Sequence, residues 1–308
     1  MNKIFKVIWS KSKQCYIVVS EIAKNKTGKK KIVVASILAA LAMQSGMITD
    51  VMAADPPSAR LADAAEAVGT NGVAIGSSAR SKSNQSVAIG YFSVAQAPGA
   101  SPENPATAVG AGANANGAGT VALGLSANAT GANAVALGGG SNGGKNKTEA
   151  TAENATAVGF NAKASKSGAA AIGSGANASG SDSISFGTAT VANSEKAIAI
   201  GANSKGTDIG ATALGRDTEA SGASATALGA LASAKGSTAT AVGMEASATG
   251  NESLAIGKKA SATSGRALAV GTNTTATGAS SVAVGSGAGG SGIIGFAGSL
   301  NSDRKSVV

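Results

Sequence analysis

One fourteen-residue unit is repeated ten times without insertion between residues 156 and 295. Each unit usually opens with an aliphatic or β-branched residue, a small residue and then Val, Ile, Leu or Phe. The fourth residue is always glycine, at Gly159, Gly173, Gly187, Gly201, Gly215, Gly229, Gly243, Gly257, Gly271 and Gly285. Self-similarity at a fixed period predicts a stacked architecture in which each unit forms one coil.

The first three residues of each unit alternate in size as residues of a β-strand do. In a strand, the first and third side chains share one face and the second takes the other. We therefore expect Ile198 and Ile200 to face the inside of their coil and Ala199 to face outward. A weaker alternation follows three residues after the glycine, as in Ala162 and Ala164. The unit thus predicts an all-β coil of two short strands and two tight turns.

Other repetitive structures fit the sequence poorly. Glycine at intervals of seven costs about 1 kcal/mol each inside a helix, and no helical period of 3.6 is present. Collagen needs glycine at every third residue. The 44 glycines and 3% aromatic residues are typical of disordered chains. The strict register of the apolar residues favours an ordered solenoid instead.

A coil of this kind has a small core, so one protomer alone is expected to be marginally stable. A row of small outward residues would let another backbone approach closely and supply the missing burial. The alternative is that these alanines only pack under loops. The predicted outward row consists of Ala171, Ala199, Ala213, Ala227, Ala241, Ala255, Ala269 and Ala283.

Charge and residue content exclude several classes of function. Residues 1–54 carry +7 of the net charge of +9, so the basic balance does not indicate nucleic-acid binding. Histidine is absent, and Cys15 and Trp9 both lie in the first 54 residues. A disulfide framework, a His or Cys metal site and a nucleophile activated by histidine are excluded beyond that point. We expect neither enzyme activity nor a cofactor, since hexapeptide acyltransferases and polysaccharide lyases built on β-helices need patterns that this chain lacks.

Residues 1–54 are predicted to be a targeting segment. Three lysines at 29–31 precede an apolar stretch at 32–43, and a small-residue cleavage site lies near Ala53 and Ala54. The preceding residues, with NKIFKVIW at 2–9 and VVSE at 18–21, closely resemble the extended signal-peptide region of type V secretion proteins. That resemblance implies control of inner-membrane targeting, and an ordinary amphipathic helix is the alternative. The product is expected to be exported.

The remaining chain divides into three parts. Residues 55–72 form an entry segment, and residues 73–295 hold the repeats. Two insertions, near 97–106 and 139–154, lengthen the spacing and are predicted to be loops at coil corners. Residues 296–308 form an irregular tail in which the register is lost.

The recurrence of Ala, an aliphatic residue and Gly every fourteen residues resembles the head of a YadA-type trimeric autotransporter adhesin. The resemblance implies a left-handed parallel β-roll and a side-by-side homotrimer. It also implies a non-enzymatic head held away from the outer membrane by a coiled-coil stalk. Neither sustained heptads nor anchor strands follow the repeats. We expect export, with membrane attachment only through an anchor missing from this chain, and a periplasmic or secreted location as the alternative to the cell surface.

The leading functional hypothesis is a surface adhesin that binds host matrix proteins or cell-surface receptors by many weak contacts. The candidate contact residues are Lys163, Lys166, Arg216, Glu219, Lys258 and Lys259. The alternative is a structural spacer or self-association module that promotes autoaggregation and biofilm. An ice-binding surface, suggested by Thr212, Thr226 and Thr240, is disfavoured because Leu254 and Leu268 interrupt the row.

Overall fold

The computed structural model describes residues 5–10, 15–20, 59–62, 64–98, 104–140, 146–290 and 295–296. The chain forms two compact units, Met1–Gly46 and Met47–Val308. In the first unit, β1 (Phe5–Ser10) and β2 (Cys15–Ser20) pair as an antiparallel hairpin with Trp9 opposite Tyr16. The alternative of an amphipathic helix is therefore wrong for these residues. The predicted cleavage site near Ala53 lies outside the described residues.

The second unit is a parallel β-solenoid in which each coil gives one strand to each of two sheets. The long-strand sheet contains β3 (Ala59–Leu61), β5 (Val73–Ile75), β7 (Val87–Ile89), β9 (Thr107–Val109), β11 (Val121–Leu123), β13 (Val135–Leu137), β15 (Thr156–Val158), β17 (Ala170–Ile172), β19 (Ile184–Phe186), β21 (Ile198–Ile200), β23 (Thr212–Leu214), β25 (Thr226–Leu228), β27 (Thr240–Val242), β29 (Leu254–Ile256), β31 (Leu268–Val270), β33 (Val282–Val284) and β35 (Gly295–Phe296).

The short-strand sheet lies on the other side of each coil and consists mostly of two-residue strands. It contains β4 (Glu66–Ala67), β6 (Arg80–Ser81), β8 (Val94–Gln96), β10 (Asn114–Asn116), β12 (Asn128–Ala129), β14 (Glu149–Ala150), β16 (Lys163–Ala164), β18 (Asn177–Ala178), β20 (Val191–Ala192), β22 (Lys205–Gly206), β24 (Glu219–Ala220), β26 (Ser233–Ala234), β28 (Ser247–Ala248), β30 (Ser261–Ala262), β32 (Thr275–Ala276) and β34 (Gly289–Gly290).

Equivalent residues of successive coils are exact partners in the parallel sheets. Thr226 pairs with Thr212 on one side and with Thr240 on the other, so the uninterrupted coils are fourteen residues apart. No helix occurs among the described residues. The all-β parallel solenoid predicted from the repeat is confirmed, whereas its left-handed winding stays a prediction.

Two corners connect the strands of each coil, and the repeat glycine begins the first of them. Gly229 has a φ of +127°, and a Cβ placed on it would lie 2.7 Å from the backbone carbonyl group of Gly243 in the next coil. Left-handed residues complete both corners, as at Leu231 with φ 60° and Thr238 with φ 55°. The amide of Leu231 donates to the Arg216 carbonyl oxygen at 2.9 Å, which ties the corner to the preceding coil. Glycine is required because it combines positive φ with close coil stacking.

The faces of the long strands are opposite to the predicted ones. Ala199 is fully buried, whereas Ile198 and Ile200 are only half-buried on the outside. The predicted outward row of alanines is therefore wrong, because all eight residues line the interior: Ala171, Ala199, Ala213, Ala227, Ala241, Ala255, Ala269 and Ala283. Seven-residue half-coils hold the two sheets so close that the largest fully buried side chains are threonines. The core is a column of methyl groups.

The two predicted insertions begin from different corners. Pro98 and Asn104 flank the first, which follows β8 at the second corner of its coil. Gly140 and Asn146 flank the second, which follows β13 at the first corner. Within the range 139–154, residues 149–150 form β14 and pair in register with β12 and β16. Residues 99–103 and 141–145 lie outside the described residues.

Several serines replace alanine inside the column, and three of them lack a hydrogen-bond partner, namely Ser204, Ser253 and Ser281. The hydroxyls of Ser253 and Ser281 are buried and unpaired, whereas Ser183 donates to the Gly180 carbonyl oxygen at 2.7 Å. A buried hydroxyl without a partner costs about 1–3 kcal/mol. We expect Ser253→Ala and Ser281→Ala each to raise the free energy of unfolding by about 1 kcal/mol.

Urea denaturation followed by far-UV circular dichroism measures this gain. Ser183→Ala is the matched control, because it removes a hydroxyl that has a partner. It should leave stability unchanged or lower it. A loss of stability in Ser253→Ala as large as that in Ser183→Ala would contradict the assignment.

Candidate functional site

The long-strand sheet presents a continuous apolar surface to the outside, which we call the apolar stripe. It consists of the first and third residues of each long strand from β5 to β33, which flank the inward alanine or, in β19, the inward Ser185. The exposed fraction is 40% for Ile184, 50% for Phe186 and 41% for Leu214. The third-position row comprises Ile75, Ile89, Val109, Leu123, Leu137, Val158, Ile172, Phe186, Ile200, Leu214, Leu228, Val242, Ile256, Val270 and Val284. Contiguous apolar patches of this extent mark interaction surfaces.

The alternation of large and small residues in each long strand is the sequence signal for this surface. The sequence alone does not show which of the two faces is outside. The sequence pattern predicts that the larger residues of every long strand face the inside of the coil. In the structure, those residues form the stripe, and Thr212, Thr226 and Thr240 lie within its first-position row. The threonines are therefore part of a mostly aliphatic surface.

The outer side of the short-strand sheet, which we call the polar face, carries charged, amide and hydroxyl groups. Neighbouring coils place opposite charges side by side, as with Glu149 beside Lys163 and Lys205 beside Glu219. Farther along the solenoid, Lys235 Nζ lies 3.1 Å from Glu219 Oε2. Exposed ion pairs of this kind contribute about 0–1 kcal/mol each. Together they give the face a mixed charge.

An amide pair belongs to the same face near the first insertion. The Asn114 Nδ2 group donates to Asn128 Oδ1 at 2.8 Å across neighbouring coils. This pair continues the stacking of identical residues that the backbone register imposes. The polar face can therefore offer repeated hydrogen-bonding groups at coil spacing, about 4.8 Å apart.

The six charged residues suggested by the sequence occupy three different parts of the coil surface. Lys163 and Glu219 lie on the polar face in β16 and β24. Lys166 lies at a second corner, and three others lie at first corners, namely Arg216, Lys258 and Lys259. Two of the corner residues are engaged in ion pairs, since Arg216 contacts Asp217 at 2.6 Å and Lys259 contacts Glu245 at 3.6 Å. The structure does not gather the six into one site.

Side chains that could bind a metal ion are dispersed among the described residues. These residues contain no group of three or more His, Cys, Asp or Glu side chains that could hold a metal ion. The hydrogen bond from Lys196 to the Glu195 carboxylate raises the pKa of that lysine. The raised pKa favours the protonated form, which is the opposite of what a nucleophilic lysine needs. No helix long and apolar enough to span a membrane occurs in the described part of the chain.

Comparison with known families decides the classification. The family described as YadA head domain repeat (2 copies) matches residues 67–93, 105–127, 115–141, 150–176, 178–204, 209–232, 234–260 and 262–288. This chain belongs to the YadA head family. Residues 1–47 of this YadA head chain match the Extended Signal Peptide of Type V secretion system. No curated protein matches the chain.

Both resemblances drawn from the sequence are thereby confirmed. The extended signal peptide of the YadA head chain indicates export and type V secretion. The head repeats give it an adhesin-type function, and the family is trimeric and non-enzymatic. The matched repeats cover both the apolar stripe and the polar face.

Proposed function

We propose that this YadA head is the multivalent binding part of a bacterial surface adhesin that contacts host matrix proteins or cell-surface receptors. One observation carries the proposal: the solenoid has an apolar stripe on one sheet and a polar face on the other. The stripe suits burial between identical chains. The polar face then remains outside, where it can meet a ligand.

The dimensions of the stripe support side-by-side assembly as a homotrimer. Fifteen long strands, from β5 to β33, stack along it. At about 4.8 Å per strand the stripe is roughly 70 Å long. With a width of roughly 10 Å it offers about 700 Å² per face, close to the ~800 Å² per partner of a standard interface. Burying it would also supply the apolar area that the methyl-sized core lacks.

The mechanism of adhesion would be avidity. Three identical polar faces, each with many similar coils, turn weak contacts into firm attachment when several engage at once. The six charged candidates are proposed to contribute as scattered contacts, in keeping with their distribution over the polar face and both corners. No single residue is then essential.

Charging the stripe should prevent assembly and weaken attachment. We expect Leu228→Asp to give a monomer in sedimentation equilibrium and to lose at least tenfold in apparent affinity for immobilised matrix proteins, because avidity depends on the number of joined faces. Ser233→Asp is the matched control, since it places the same charge on the polar face of the same coil. It should remain a trimer.

Other results would count against the proposal. A wild-type chain that stays monomeric at all concentrations would refute the trimer. A wild-type trimer that binds no matrix protein or cell surface would favour the spacer or self-association role instead.

A further inference from the structure

Two adjacent coils in the middle of the solenoid, residues 184–211, have an unusual interior. We call them the middle coils. Most buried alanines of the solenoid form two long clusters, from Ala65 to Ala178 and from Ala211, the last residue of the middle coils, to Ala288. Only a separate small cluster of Ala192, Ala197 and Ala199 lies between them. The methyl column is therefore interrupted in these coils.

Buried hydroxyls replace methyl groups at the interruption. The inward residue of β19 is Ser185, at a position that holds alanine in every other long strand from β5 to β33. The Ser185 hydroxyl donates to Thr190 Oγ1 at 2.6 Å, and Thr190 donates to the Gly187 carbonyl oxygen at 3.0 Å. In the next coil, the Ser204 hydroxyl is buried without a partner. Such a hydroxyl loses its hydrogen bonds to water when the coil closes.

Gly206 removes a further methyl group from the same interior. It occupies the inward position of β22, where most short strands have alanine. A Cβ at this position would lie 2.8 Å from the Ile198 carbonyl oxygen. The glycine is therefore an adaptation to two closely spaced sheets, and it leaves the middle coils with less apolar burial than their neighbours.

Hydroxyls also occur inside the coils near the start of the solenoid, but there each has a partner. Ser81 and Ser93 donate to carbonyl oxygens at 2.8 and 2.9 Å, and Ser86 accepts from the amide of Ala106 at 3.2 Å. The inward residues of β5 and β7 are alanines. The combination of an unpaired hydroxyl, a missing methyl group and a polar residue in the long strand belongs to the middle coils.

The outside of the middle coils is correspondingly apolar. Phe186 and Ile184 have exposed fractions of 50% and 40%, and Ile198 and Ile200 continue the surface in the next coil. In the coils that follow, Thr212 and Thr226 take the place of the first-position isoleucines. The middle coils thus place polar groups inside and their largest apolar groups outside.

We propose that the middle coils are the hot spot for association between copies of this chain, and that they close fully only when a second copy covers Phe186 and Ile184. This proposal rests on the trimer of the proposed function. Stability in a solenoid is the sum of the coils and of their contacts with neighbours. Coils with a weak interior open first, and an aromatic anchor at the centre of an interface contributes most to binding. Assembly and local folding are therefore coupled at residues 184–211.

Hydrogen exchange measured by mass spectrometry on the full chain tests the coupling. In dilute monomer, we expect the amides of residues 184–211 to exchange at least about tenfold faster than those of residues 226–248, in which every buried residue except Gly236 is alanine. At concentrations that give the trimer in sedimentation equilibrium, the two segments should exchange at similar rates. Equal rates in the dilute monomer would overturn the proposal.

Two variants distinguish the effect of the buried hydroxyls from that of the exposed apolar side chains. Ser185→Ala combined with Ser204→Ala should slow exchange of the middle coils in the monomer, while leaving the stripe intact. Phe186→Ala should weaken association at least about tenfold, against about threefold or less for Leu228→Ala at the equivalent position. Equal effects of these two stripe variants would show that Phe186 is not a hot spot. A trimer that forms without any concentration dependence of exchange would refute the coupling alone, whereas a permanent monomer would refute the proposed assembly as well.

Discussion

Replacing Gly229 with alanine should lower the free energy of unfolding by about 3 kcal/mol or more, because two costs combine. The residue has a φ of +127°, in a region that side chains rarely adopt. The added Cβ would also lie 2.7 Å from the carbonyl carbon and oxygen of Gly243. That carbonyl belongs to backbone that the next coil holds in place, so it cannot move aside without disturbing the stack. Urea denaturation followed by circular dichroism measures the loss.

Gly265→Ala is the matched control for this prediction. Gly265 lies at a second corner, and the nearest atom to its added Cβ is the Asn251 carbonyl oxygen at 3.8 Å. Alanine there should be neutral or should stabilise by about 0.4–1 kcal/mol, since it restricts the unfolded chain. Similar losses in both variants would show that any glycine replacement harms the solenoid, and the stacking argument would fail.

The sequence was sufficient to predict the repeat and its strands, because both depend on spacing alone. The glycines from Gly159 to Gly285 define the coil length, and the alternation around them defines two short strands. Parallel pairing in exact register follows once coils of equal length stack. None of these inferences requires knowledge of which side of a strand is buried.

The buried face of each long strand could not be predicted in the same way. Alternation shows that Ile198 and Ile200 share a face, but it does not say whether that face is inside. The usual expectation that large apolar residues are buried was wrong here, because the two sheets lie so close that no described side chain larger than threonine is fully buried between them. The distance between the sheets depends on corner geometry, which includes left-handed residues such as Leu231 and Lys259. Leucine and lysine do not favour positive φ, so the sequence does not predict this geometry.

The reversal of faces changes the physical basis of lateral association. The sequence predicts a row of outward alanines that lets a second backbone approach closely, whereas the stripe offers aliphatic and aromatic side chains. Burying a large apolar side chain contributes about 1.5–3 kcal/mol, more than an alanine can offer. The candidate contact residues could not be grouped from the sequence either, because variable charged positions such as Lys163 and Lys258 carry no information about which corner or face they share.

Enlarging an interior alanine gives the second large effect that we expect. Ala241 is fully buried and pairs with Ala227 and Ala255 in the neighbouring coils. Ala241→Leu should lower the free energy of unfolding by about 3 kcal/mol or more, because overpacking a rigid core forces backbone shifts. The closeness of the two sheets leaves no direction in which the longer side chain can be accommodated. Thermal and urea unfolding curves of the two proteins measure the difference.

Val242→Leu is the control, since the neighbouring residue points to the apolar stripe and is half-buried. We expect it to change the free energy of unfolding by less than about 0.5 kcal/mol, as is usual for surface substitutions. If Ala241→Leu were tolerated and Val242→Leu were damaging, the larger residues would lie inside after all. The stripe would then be a row of alanines, and both the lateral interface and the hot spot at Phe186 would lose their basis.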